Sequence, residues 1–174
     1  SRLNSDYPEY WSKKMWFDGK AGSYGTAQVC RDSLFAYDRE TLAPAWTYAC
    51  GAILNPTISV SGQCIYFVES RNEVAKASIT SQISVPELWA DQFLVALDIS
   101  DGKKLWEQPI DTEDGTITFY MQTTPDTILV TASNSAYHLY AFDPDDGSLL
   151  WNRSNPWPDN HHSGHIQHPV IVDG

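Results

Sequence analysis

Three segments of the chain share one spacing: an Ala, an Asp two residues later, and a Trp eight residues after the Asp. They are AYDRETLAPAW with Ala36, Asp38 and Trp46, ALDISDGKKLW with Ala96, Asp98 and Trp106, and AFDPDDGSLLW with Ala141, Asp143 and Trp151. Gly102 and Gly147 stand four residues after the Asp in two copies, and Leu42 replaces that Gly in the first. The copies begin 60 and 45 residues apart. Spacing that recurs in phase at such intervals marks a repeat architecture, in which one unit cannot bury its own faces and must stack on its neighbours.

Each copy reads as strand, turn, strand. In the third, residues 137–142 form a β-rich run and residues 148–151 leave as a new strand ending on Trp151. The turn between them, Asp143-Pro144-Asp145-Asp146-Gly147, has its own chemistry: Asp accepts from backbone N–H groups, Pro fixes φ, and Gly supplies φ > 0. With residues 116–121 and 127–132 upstream, four short strands follow in succession. A meander of four antiparallel strands in about 45 residues is the pattern of a propeller blade. The repeat Trp would lie on the outer strand and wedge one blade against the next. Burying roughly 150–250 Å² of indole contributes on the order of 4–6 kcal/mol gross. The small Ala leaves room for the ring, and a carbonyl of the neighbouring blade would take the indole N–H.

The expected fold is therefore all-β: a β-propeller of four-stranded antiparallel blades. It is present as a partial propeller of about three to four blades, incomplete at both ends. Residues 1–25 read as an irregular N-terminal segment, in which Trp11, Met15, Trp16 and Phe17 make an apolar cluster. Residues 26–174 form the partial propeller: 26–49 the end of a blade, 55–108 a blade, 116–153 another, and 168–174 the first strand of the next. Residues 27–30 and 34–37 are expected to pair across Arg31-Asp32. Residues 71–91, with Pro86 and no clean helical face, read as an insertion joining two strands, which in repeat folds often falls on a functional face. A chain that stops one strand into a blade is expected to be a piece of a longer propeller.

These residues resemble the tryptophan-docking repeat of the quinoprotein-like propellers. That group includes pyrroloquinoline quinone (PQQ) dehydrogenases and non-enzymatic BamB-like outer-membrane assembly proteins. The match covers Ala36, Asp38, Trp46, Ala96, Asp98, Gly102, Trp106, Ala141, Asp143, Gly147 and Trp151. The resemblance implies an extracytoplasmic protein, periplasmic or secreted, although no signal peptide is legible at the start of the chain. It implies a non-catalytic scaffold or protein-binding module, whose partners are the remainder of its own propeller and another protein. The alternative is a quinone- or metal-dependent oxidoreductase of the quinoprotein dehydrogenase type. Dehydrogenases of that family use a disulfide between adjacent cysteines and a calcium-binding acid/amide set, and no two cysteines adjoin here. No catalytic residue is assigned, and neither PQQ nor a transition metal has a specific motif.

Charge narrows the partners further. With 22 Asp and Glu against 11 Lys and Arg, the formal net charge is −11, which repels a phosphate backbone and argues against nucleic acid. No apolar run approaches the length of a membrane helix. The three cysteines, Cys30, Cys50 and Cys64, leave at least one thiol unpaired within the chain. A Cys30–Cys50 bridge would suit an extracytoplasmic setting, and Cys64 reads as a small hydrophobe in a strand. The dense polar cluster is His161, His162, His165 and His168, in DNHHSGHIQHP. Its imidazoles suit a first-row transition metal, yet the spacing fits no zinc signature; the other reading is loop histidines bonded to backbone or water. The acidic turns at 98–102 and 143–147 do not match a calcium loop: the Gly falls one place early and no Glu closes the site.

Overall fold

The computed structural model describes residues 30–78, 86–111, 118–133, 136–156 and 170–172. The expected irregular segment 1–25 and the four histidines of 161–168 lie outside these. Twelve strands are described: β1 Cys30–Arg31, β2 Leu34–Tyr37, β3 Pro44–Tyr48, β4 Ala52–Leu54, β5 Ser59–Ser61, β6 Cys64–Ser70, β7 Gln92–Asp98, β8 Lys104–Ile110, β9 Thr118–Thr123, β10 Ile128–Ser133, β11 Ala136–Phe142 and β12 Leu149–Pro156. Every described pairing is antiparallel. The chain is a partial β-propeller: a blade of β4/β5, β6, β7 and β8, a second of β9 to β12, and the hairpin β2–β3 beside the first.

The first strand of the β4–β8 blade is split. β4 and β5 both pair with β6, and a 3-10 turn, Asn55–Thr57, separates them. Residues 56–60 are therefore only partly strand; Pro56, which has no N–H to give a ladder, starts the break. Thr57 repairs it: its hydroxyl donates to the Leu54 carbonyl (2.7 Å) and accepts from the Val68 N–H (2.8 Å). A buried donor that would otherwise be orphaned is thus satisfied.

Of the hairpin expected across Arg31-Asp32, residues 27–29 lie outside the described residues. Cys30 and Arg31 pair instead with Leu54 and Ile53 of β4, while β2 pairs with β3 among the described residues. The short run 34–37 binds the strand carrying Trp46, and Cys30, 2 % exposed, joins the core between the two blades.

Residues 71–91 contain more structure than the sequence suggests. Asn72 caps a short helix, α1 Glu73–Ala77, by accepting from the Val74 N–H, and a second 3-10 turn spans Pro86–Trp89. The ends of the insertion are tied together: Arg71 N–H donates to the Asp91 carbonyl (2.9 Å), and Ser70 Oγ donates to the Ala90 carbonyl (2.7 Å). Ala75 and Leu88 are buried in the inter-blade core, so this segment caps one end of it.

Strands β6 and β7 are apolar on both faces because both faces are covered. Tyr66, Val68, Leu94 and Ala96 pack against Met121, Ile128, Val130, Tyr140 and Phe142 of the second blade. Ile65, Phe67, Val95 and Leu97 pack on the other side against Leu34, Trp46 and Tyr48 of the β2–β3 hairpin. The inner strands β5 and β9 also meet through the Ser59 and Thr123 hydroxyls, 2.9 Å apart. Val170–Val172, expected to start another strand, lies outside any strand, and Val170 and Val172 are exposed.

Candidate functional site

The three repeat turns share one backbone. The N–H of the repeat Asp donates to the carbonyl five residues on: Asp38 to Ala43, Asp98 to Lys103, Asp143 to Ser148, each at 2.9 Å. The residue four places after the Asp donates back to the Asp carbonyl, again at 2.9 Å in all three. That residue is left-handed in each copy: Leu42 at φ 57°, Gly102 at 70° and Gly147 at 74°. The Asp carboxylates are used within their own turns. Asp38 Oδ1 accepts from the N–H groups of Thr41 (2.7 Å) and Glu40 (3.0 Å), Asp98 Oδ1 from the hydroxyl and N–H of Ser100, and Asp143 Oδ1 from the N–H of Asp145. These bonds stabilise the ionised form: Thr41 holds the Asp38 carboxyl below the usual carboxylate range, and Ser100 does the same for Asp98.

Ala and Trp of each copy face each other across the ladder: Ala36 opposite Trp46, Ala96 opposite Trp106, Ala141 opposite Trp151. The register shifts just after each Ala. The small Ala leaves the ring free to lean onto the neighbouring sheet. Trp46 Nε1 donates to the Ile99 carbonyl at 3.0 Å, and Trp106 Nε1 donates to the Pro144 carbonyl at 3.0 Å. In both cases the acceptor is the residue after the repeat Asp of the next copy. The rings lie over the left-handed glycines: a Cβ on Gly102 would come within 2.6 Å of Trp46, and one on Gly147 within 2.5 Å of Trp106. Tyr66 packs beside Trp106, ring centroids 5.8 Å apart. Trp151 differs: it is 45 % exposed, with the Arg153 guanidinium 5.9 Å above its ring.

Gly147→Ala should therefore be costly although it adds one methyl. Left-handed strain and overpacking against Trp106 together cost roughly 2–4 kcal/mol. Guanidinium denaturation of the single variants and of Trp106→Ala/Gly147→Ala checks it: the double variant should lose much less than the sum of the singles, because it lacks the ring that clashes. Additive losses would refute a shared contact.

A second cluster was not foreseen from the sequence. Glu69, fully buried in β6, accepts through Oε1 from Tyr48 Oη (2.8 Å) and from Arg71 Nε (2.9 Å). Arg71 also bonds Glu107, which accepts in addition from Lys104 Nζ (2.6 Å), and the guanidinium lies 4.1 Å from the centroid of the Phe93 ring. Glu69 Oε2 has no hydrogen-bond partner among the described residues, and a Cβ on Gly51 would lie 3.1 Å from it and 2.6 Å from the Ser70 carbonyl oxygen. Gly51 is thus needed where the carboxylate turns in. The only sequence signal was a Glu inside the apolar run CIYFVES with an Arg two residues on.

The Arg71 hydrogen bond, helped by Lys104, pulls the Glu107 carboxyl down to about 2 from its ordinary 4.5. A depressed folded-state value contributes stability above about 4.5 that is lost as the pH falls toward 2. Chemical denaturation between those limits should show a steeper loss for the parent than for Glu107→Gln; parallel curves would show that the pair contributes nothing.

Cys30 is buried, Cys50 exposed and Cys64 partly buried, and all three are free thiols, so no Cys30–Cys50 bridge forms. Burial pushes the Cys30 thiol up to about 12, which makes it inert. Among the described residues, no group of three or more His, Cys, Asp and Glu is placed to hold a metal ion. Among them, too, no helix is long and apolar enough to cross a membrane. The repeat Ala, Asp and Trp residues, with Gly102 and Gly147, are all among the described residues, whereas the candidate metal ligands His161, His162, His165 and His168 lie outside them.

Comparison with known proteins follows the same lines. Residues 90–173 match the family described as "Outer membrane protein assembly factor BamB". The crystal structure of BamB from Moraxella catarrhalis is similar over 70 % of this chain and 30 % of that chain, with 17 % identity and a TM-score of 0.47. The similar part of this chain therefore spans 30 % of that protein's length. No curated protein matches.

Proposed function

We propose that this chain is part of a non-catalytic propeller of the PQQ-like, BamB-like kind that acts as a protein-binding scaffold outside the cytoplasm, a reading supported by the family match of residues 90–173. The observation that carries this reading is how the repeat residues are used. The Asp side chains bond the N–H groups of their own turns, and the Trp46 and Trp106 indoles bond the carbonyls of the adjoining blade. These groups serve structure, so they are not available for chemistry. We take the contacts of Trp46 and Trp106 to be the tryptophan-docking motif itself, with Ala36, Ala96 and Ala141 as its clearance and Gly102 and Gly147 as its seats.

The partner surface in this reading is the described part of the 71–91 insertion, residues 71–78 and 86–91, whose ends are closed by the Arg71–Asp91 bond. A loop positioned by a rigid scaffold is a usual arrangement for recognition. A photo-crosslinking residue at Val74, 49 % exposed, is expected to capture a discrete protein in the intact cell envelope, and one at Leu105, 51 % exposed, is not. Equal capture at both positions, or capture only of cytoplasmic proteins, would defeat the scaffold reading. Absorbance and metal analysis of the purified protein separate the oxidoreductase alternative: stoichiometric quinone or metal would favour it, and would turn attention to the four histidines.

A further inference from the structure

The described part of the insertion is held from both sides of its blade, and the two holds differ in kind. Toward the β9–β12 blade the hold is apolar: Ala75 and Leu88 are buried in one core with Met121, Ile128 and Val130. Toward the β2–β3 hairpin it is a polar line. Tyr48 Oη of β3 donates to Glu69 Oε1 (2.8 Å), and Arg71 Nε donates to the same oxygen (2.9 Å). Arg71 is also the first residue of the insertion, and its backbone N–H closes the neck on the Asp91 carbonyl (2.9 Å). Its neighbour Asn72 donates from Nδ2 to the Asp91 carboxylate (3.1 Å) and caps α1 through Oδ1. Asp91 meets both from a left-handed φ of 52°.

Strand β3 thus docks on its neighbour twice. Trp46 reaches the turn after Asp98 at one end of the β6–β7 pair, and Tyr48, two residues on, reaches Glu69 at the other. The Tyr48 ring stands edge-on to Phe67, centroids 5.4 Å apart, so its hydroxyl is delivered to a carboxylate with no other route to water. A buried carboxylate depends on every donor it has, because in a medium of low polarity a lost hydrogen bond is not replaced. We infer that Tyr48 positions the insertion for its partner: the docked hairpin fixes Glu69, Glu69 fixes the Arg71 guanidinium, and Arg71 fixes the neck from which α1 rises. In the scaffold reading, on which this inference rests, the partner surface then depends on the seam between two blades and not on one blade alone.

Amide hydrogen exchange in the intact protein tests this. Tyr48→Phe keeps the ring against Phe67 and removes only the hydroxyl, so a role in packing alone would leave residues 71–78 as they are. Amides of 71–78 are expected to exchange roughly tenfold faster, the effect of losing one hydrogen bond to a charged group, while those of β10 and β11 keep their rates. In an Arg71→Met background, which has no donor to pass the contact on, Tyr48→Phe should add less than about twofold. Photo-crosslinking at Val74 should weaken in Tyr48→Phe. The inference is overturned if exchange over 71–78 is unchanged, if it rises equally in the Arg71→Met background, or if capture at Val74 is undiminished despite faster exchange. Absence of capture in the parent would count against the scaffold reading alone, since exchange is measured without a partner.

Discussion

Trp106→Ala should lower the free energy of unfolding by about 3–5 kcal/mol, the range for truncating a well-packed tryptophan. The ring is wedged between blades, beside Tyr66 and over Gly147, and its N–H bond to the Pro144 carbonyl is made at the seam. Truncation opens a cavity and leaves that carbonyl with only the longer, 3.4 Å bond from the Tyr66 hydroxyl. Trp151→Ala makes the same chemical change at the same repeat position, yet should cost less than about 1 kcal/mol, as for exposed side chains generally. Trp151 is 45 % exposed, so little surface returns to water. Guanidinium unfolding of the two variants side by side measures the difference. Equal losses would mean that either Trp106 is not an inter-blade contact or Trp151 is covered by chain outside the described residues.

Arg71→Ala is the second large effect. Glu69 has 0 % side-chain exposure and Arg71 22 %, so removing the guanidinium strands a carboxylate in the interior. Breaking one side of a buried pair costs about 3–5 kcal/mol, more than the pair itself contributes, because the remaining charge has lost its counterion. One consequence distinguishes this from simple loss of packing. Glu69→Gln should recover part of the loss in the Arg71→Ala background, since the amide carries no charge. If Arg71→Ala loses less than about 1 kcal/mol, or Glu69→Gln worsens it, then water reaches the site and the pair is not buried in effect.

Local features of the fold were legible because their causes are local. The Asp-to-Trp spacing places an Asp where it can accept N–H groups of its own turn, a left-handed residue four places on, and a Trp across the ladder from a small Ala. The run 116–153 was read as four strands, and four strands pair there in sequence order. The departures have non-local causes. Cys30–Arg31 pairs with β4 rather than β2, because its choice of edge depends on a strand some twenty residues downstream. Thr57 replaces a missing ladder bond to Val68, which no periodicity announces. The helix at Glu73–Ala77 is too short for a periodic signal, and its Asn72 cap was the only mark it left.

By itself, then, the sequence determined a repeating strand–turn–strand unit, three turns of one backbone, and an acidic, aromatic-rich chain built to stack blade on blade. Spacing and turn chemistry act within about ten residues, so they can be read along the chain. Tertiary structure alone decided which tryptophans are seated and which is exposed, and that Glu69 is buried on Arg71. A seat for an indole is formed by a carbonyl and a bare glycine 38 to 56 residues away, and a counterion counts only once both charges have left water.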